Sequence, residues 1–206
     1  MKQILLGILV LVLSGAAQAG TLEIADSRGI TFSGYNGKPL DVTGVENSGL
    51  WGSLFATSAG TFSATYLGNE SGYVNKFSLG LAGSLLESNV IGKTISMSIE
   101  AGTVGFSFSD NANGGHSFVN GKHQAPSFGF AILKGQKNKY GSFQYLLGFN
   151  DSYGGDADYD DFVVGVNFVS SPVPEPETYM MMFAGIVLIG FSARRRNNNN
   201  WNDLDS

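Results

Sequence analysis

Residues 143–168 read FQYLLGFNDSYGGDADYDDFVVGVNF. Two apolar runs flank an acidic segment that contains a Gly-Gly pair. Phe143, Tyr145, Leu147 and Phe149 fall at every second position, and so do Phe162, Val164, Val166 and Phe168. A period of two places each set on one face of an extended strand, because successive side chains of a strand point to opposite sides. The same spacing recurs at Ile95, Met97 and Ile99, at Val104, Phe106 and Phe108, and at Phe128, Phe130 and Ile132. Weaker candidates are Leu22–Asp26, Gly29–Gly34, Thr61–Leu67 and Tyr73–Leu79, and the one helical hint is the short stretch Gly83–Asn89. Glycine supplies the punctuation: 25 of the 29 lie between residues 20 and 171, about twice the usual share of about 7%. Short alternating strands separated by Gly/Asn turns predict one all-β domain over residues 20–171, an antiparallel β-sandwich or jelly roll of about eight or nine strands.

Composition removes several functions. The chain has 206 residues, 14% charged, no cysteine and a formal charge of −5. Disulfides, a thiolate nucleophile and a cysteine-bound zinc or iron–sulfur centre are therefore excluded. The lysines are scattered, so there is no basic footprint for nucleic acid. No Gly-x-Ser-x-Gly elbow or phosphate-binding glycine loop occurs. His116 and His123 sit in a Gly/Asn-rich loop with Asp110 as the one nearby acid. Glu23, Glu46, Glu70, Glu87 and Glu100 are isolated in sequence and read as surface charges. Trp51, Tyr35, Tyr66, Tyr73 and Tyr140 offer rings for stacking on sugars, although aromatic residues of β domains usually fill cores. No enzyme is expected.

The two ends read as addresses. Lys2, the apolar stretch Ile4–Leu13 and Ala17-Gln18-Ala19 form a signal peptide over residues 1–19, with the small residues Ala17 and Ala19 at the cleavage site. Residues 172–177 are proline-spaced, and a stiff, extended spacer is expected there. Residues 178–193 carry no charge and are expected to form a single transmembrane helix, although sixteen residues at 1.5 Å each span about 24 Å against about 30 Å of hydrocarbon. Arg194, Arg195 and Arg196 follow, placing residues 194–206 on the cytoplasmic side.

In the acidic segment, Asp151, Asp156, Asp158, Asp160 and Asp161 fall within eleven positions. Hard cations such as calcium take six to eight oxygens, and Asp156, Asp158 and Asp160 have the i, i+2, i+4 spacing with which calcium loops start. Gly154-Gly155 lets the backbone fold around an ion. It is not an EF-hand, since Asp161 and Asn167 stand where that loop needs Gly and Glu. The alternative is a solvated turn whose carboxylates accept backbone N–H bonds. Both readings stay open.

Val173-Pro174-Glu175-Pro176, an apolar span and Arg194-Arg195-Arg196 together resemble the PEP-CTERM sorting signal of Gram-negative bacteria. The resemblance implies recognition by an exosortase, transient anchoring in the inner membrane through the C-terminal helix, and delivery to the cell surface or an exopolysaccharide matrix. The run from Asn150 to Asp161 resembles the C-terminal motif of DUF4114-type β domains, which often precede such tails, and Phe62–Asn75 is similar to a segment common in PEP-CTERM proteins. The first of these implies Ca²⁺ at the five aspartates. The expected function is that of an exported, exosortase-sorted structural protein of the surface or matrix. The alternative is a carbohydrate-binding module for secreted polysaccharide, with Trp51 and Tyr140 as contacts.

Overall fold

Phe108 stacks on Phe149 with ring centroids 5.0 Å apart, and Phe106 meets Phe130 edge to face at 5.2 Å. These rings come from two different antiparallel sheets that share a core. The computed structural model describes residues 19–33, 48–122, 129–151, 157–172 and 176–199. The expected signal peptide, His123, Tyr35, Glu46, Asp156 and Val173–Glu175 lie outside them, apart from Ala19, which is exposed.

In chain order the strands are β1 (Leu22–Thr31), β2 (Ser48–Ala56), β3 (Gly60–Gly68), β4 (Lys76–Leu79), β5 (Ser84–Leu86), β6 (Thr94–Ile99) and β7 (Gly102–Thr103). They continue with β8 (Phe106–Ser109), β9 (Ser117–Val119), β10 (Gly129–Lys134), β11 (Lys137–Asn138), β12 (Gly141–Ser142), β13 (Tyr145–Asn150) and β14 (Phe162–Ser170). The larger sheet runs β1-β2-β10-β13-β14-β3-β6 with β7 beside β2, the smaller runs β5-β4-β8-β9, and β11 and β12 make a separate hairpin. Residues 20–171 hold together as one unit.

The alternation read in the sequence fills the shared core. Tyr145, Leu147, Phe149, Phe162, Val164, Val166 and Phe168 of the large sheet face Phe77, Leu79, Phe106 and Phe108 of the small one. Burying a phenylalanine side chain contributes about 2 kcal/mol or more, so this aromatic layer is the main source of stability. The other face of the large sheet is also covered, by Phe32, Phe143, Ala157 and Tyr159 over Leu67, Ala131, Leu133, Leu146 and Val163. Phe143 thus departs from its expected set: β13 begins at Tyr145, and Phe143 packs on the opposite face. Two glycines permit this second layer. A Cβ on Gly148 would stand 2.2 Å from the Tyr159 carbonyl oxygen, and one on Gly165 would stand 2.6 Å from the Phe143 ring.

Three further readings change. Leu22–Asp26 and Gly29–Gly34 are largely one strand, β1, which bulges where Asp26 takes φ +52° and the pairing with β2 slips between Ala25 and Arg28. An inserted residue throws the alternation out of phase, which hides the continuity. Gly83–Asn89 is not helical: Leu85 is fully buried opposite Phe77, and that burial holds Ser84–Leu86 in the small sheet. Strand β2 has no counterpart among the expected strands, because Gly49 and Gly52 interrupt its apolar residues.

After the β unit comes α1 (Pro176–Asn199). The helix begins inside the expected extended spacer, since a proline in the first helical turn has no N–H that the helix would miss. It also runs on through the arginines. Its apolar part stays at sixteen residues, with Glu177 before it and three arginines after it. Among the described residues, no helix is long and apolar enough to cross a membrane, which corrects the expectation of a transmembrane helix over 178–193.

Candidate functional site

The acidic segment is held down by its middle. Ser33 and Ala157 exchange backbone hydrogen bonds of 3.0 and 2.6 Å. Two residues on, Tyr159 is buried, with its ring 4.8 Å from that of Phe32 and its hydroxyl accepting from Trp51 Nε1 at 3.1 Å. Tyr159 adopts φ +60°, a left-handed conformation that costs a non-glycine residue about 1 kcal/mol. Its neighbours Asp158 and Asp160 then converge on Glu70, which comes from the loop between β3 and β4. One carboxylate oxygen from each of the three lies within 4.8 Å of the others.

Asp158 and Asp160 are 3% and 2% exposed, whereas Glu70 is exposed. Among the described residues, Asp160 Oδ1 has no hydrogen-bond partner. Burial pushes the Asp160 carboxyl up to about 8, and the carboxylates of Asp158 and then Glu70 push it in the same direction. At an effective dielectric constant of 20, two like charges 4 Å apart repel by about 4 kcal/mol. A proton or a cation relieves that repulsion; a further acceptor does not.

The remaining aspartates behave differently. Asp151 Oδ2 accepts from Ser71 Oγ and Asn75 Nδ2, both at 2.5 Å, and the Asp151 N–H donates to Asp161 Oδ2 at 2.8 Å. The Asp151 carboxylate ties the start of the segment to the loop after β3, and the Asp161 carboxylate ties the segment's end to its start. Nearby, Glu87 accepts from the Asn75 N–H at 2.8 Å, and burial raises its pKa. Tyr66 donates to Asn69, and burial with Glu87 close by pushes its hydroxyl up to about 12. Of the five aspartates singled out by spacing, Asp158 and Asp160 meet, Asp151 and Asp161 hold the chain, and Asp156 lies outside the described residues. Glu70 has no sequence neighbour that announces it. Glu70, Ser71 and Asn75 of the stretch 62–75 meet Asp151, Asp158, Asp160 and Asp161 here, far apart in sequence.

The other candidates have structural contacts. His116 Nδ1 lies 3.0 Å from Asp110 Oδ1, which also accepts from the backbone N–H groups of Ala112 and His116. Trp51, partly buried, gives its indole N–H to Tyr159, and the Arg28 guanidinium stands 6.0 Å from its ring centroid. Tyr140 packs against the second core, and Lys139 Nζ lies 5.1 Å from its ring.

In the tail, Pro176 opens α1, Met181, Leu188 and Ile189 are 75%, 67% and 71% exposed, and Arg194 is exposed. Arg195 and Arg196 continue the helix. An apolar helix between a proline-rich lead and an arginine cluster is a handle suited to an enzyme that recognises local sequence. Residues 172–196 match the PEP-CTERM protein-sorting motif. The chain carries a PEP-CTERM sorting signal. The PEP-CTERM segment makes this an exosortase-sorted protein, secreted and associated with the cell envelope. The match includes Val173, Pro174, Glu175, Pro176, Arg194, Arg195 and Arg196 and begins after the Asp-rich stretch at 150–161. No curated protein and no solved structure matches the chain.

Proposed function

We propose that this is a non-enzymatic protein of the bacterial surface or exopolysaccharide matrix, whose β unit is a structural module displayed after an exosortase removes the tail. The PEP-CTERM segment at 172–196 carries this reading, because it lies outside the unit formed by residues 20–171. Loss of the tail leaves both sheets and both cores whole. We read the two-sheet body as a β-sandwich. Its side chains favour a structural role: the His116–Asp110 pair closes a loop, and the Trp51–Tyr159 bond pins another.

The test is fractionation of the host with and without its exosortase, following the protein by size and location. The expected result is a shortened product delivered outside the cell in the wild type, and a longer form that is not delivered there in the mutant. Substituting alanine for Pro174, Glu175 and Pro176 should reproduce the mutant pattern. Equal size and location in all three strains overturns the proposal.

A further inference from the structure

Glu70, Asp158 and Asp160 present three carboxylate oxygens within 4.8 Å of one another. Two ligands of one calcium ion, each about 2.3–2.6 Å from it, stand at most about 5 Å apart, so the spacing matches a shared ion. Clustered acids alone are common on protein surfaces. The second observation is of another kind: Asp160 is 2% exposed, and its Oδ1 has no hydrogen-bond partner among the described residues. Buried acceptors are nearly always satisfied, and an orphaned one destabilises the fold, the more so when it is charged. No donor among the described residues reaches it. Asp110 and Asp151 show that this fold places donors on buried carboxylates where it needs them.

We propose that Glu70, Asp158 and Asp160 form a binding site for a divalent cation, calcium, which fastens the loop after β3 to the segment before β14. An all-oxygen, all-carboxylate set selects a hard cation over zinc or copper, and a site built on two loops accommodates the flexible coordination of calcium better than the strict octahedron of magnesium. The assignment stands apart from the sorting reading, since it concerns the β unit and not the tail.

The probe is calcium chloride added to the purified full-length protein after treatment with EDTA, with thermal melting as the readout. Millimolar calcium should raise the melting temperature by a few degrees, as expected when an ion binds the folded state alone, and magnesium should raise it less. Glu70→Gln, at an exposed position, should weaken the apparent calcium affinity at least tenfold. Asp160→Asn should abolish the shift, whereas Glu100→Gln, outside the cluster, should leave it unchanged. Superimposable wild-type curves with and without calcium overturn the proposal. So does a calcium shift that Glu70→Gln leaves intact, and this variant decides the matter if Asp160→Asn does not fold.

Discussion

Asp110 and Asp160 are both buried carboxylates beside a strand, one just after β8 and the other just before β14, yet their surroundings are opposite. Asp110 receives the backbone N–H groups of Ala112 and His116, and the His116 ring lies against it. Asp160 faces Asp158 and Glu70. The first site is complete with protein groups alone. The second is complete only with a proton or a cation, so its contribution depends on what the solvent supplies. Burial by itself therefore says little about a carboxylate's role. The donors around it decide.

The largest effect that could break this contrast is at Asp110. Asp110→Ala leaves two backbone N–H groups and an imidazole without their acceptor, and should cost about 3 kcal/mol. Chemical denaturation should show the same loss in calcium and in EDTA. A loss that calcium rescues would mean that the two carboxylates are not distinct.

A smaller effect sharpens the other side. In calcium-free protein the folded state holds a proton on Asp160 up to pH about 8, whereas the unfolded chain releases it near pH 4. Folding therefore takes up a proton between those values, and stability falls as pH rises through that window. Glu87, also raised by burial, acts in the same direction. From pH 6 to pH 7.5 the loss attributable to Asp160 is at most about 2 kcal/mol, from 1.36 kcal/mol per pH unit. Denaturation in EDTA should show this fall, and Asp160→Asn should flatten it. A stability that rises over the same range would contradict the environment described for Asp160.

Legibility in the sequence follows the range of the interactions. The sorting segment was readable because its three parts lie within 25 residues and act through local chemistry. The strands with clean alternation, such as β6, β8 and β14, were readable because one face of each meets the shared core. Strand β2 was not, since Gly49 and Gly52 sit where the phase should show. The halves of β1 read as separate because the bulge at Asp26 shifts the count. At the acidic site, Asp158 and Asp160 were visible through their spacing. Glu70 was invisible: it reaches the aspartates because β3, which leads into its loop, pairs with β14, which follows them, and no local pattern encodes that pairing. The helix was legible in place but not in extent, because Arg194–Asn199 contains nothing that stops a helix.

The most direct test of the contrast is diffraction from crystals of the protein grown with calcium, with anomalous data collected after exchange into terbium, a heavier hard cation with similar ligand preferences. One strong anomalous peak is expected at bonding distance from the carboxylates of Glu70, Asp158 and Asp160, and none at Asp110. A peak at Asp110, or a well-ordered Glu70–Asp158–Asp160 cluster with no peak beside it at saturating metal, would contradict it.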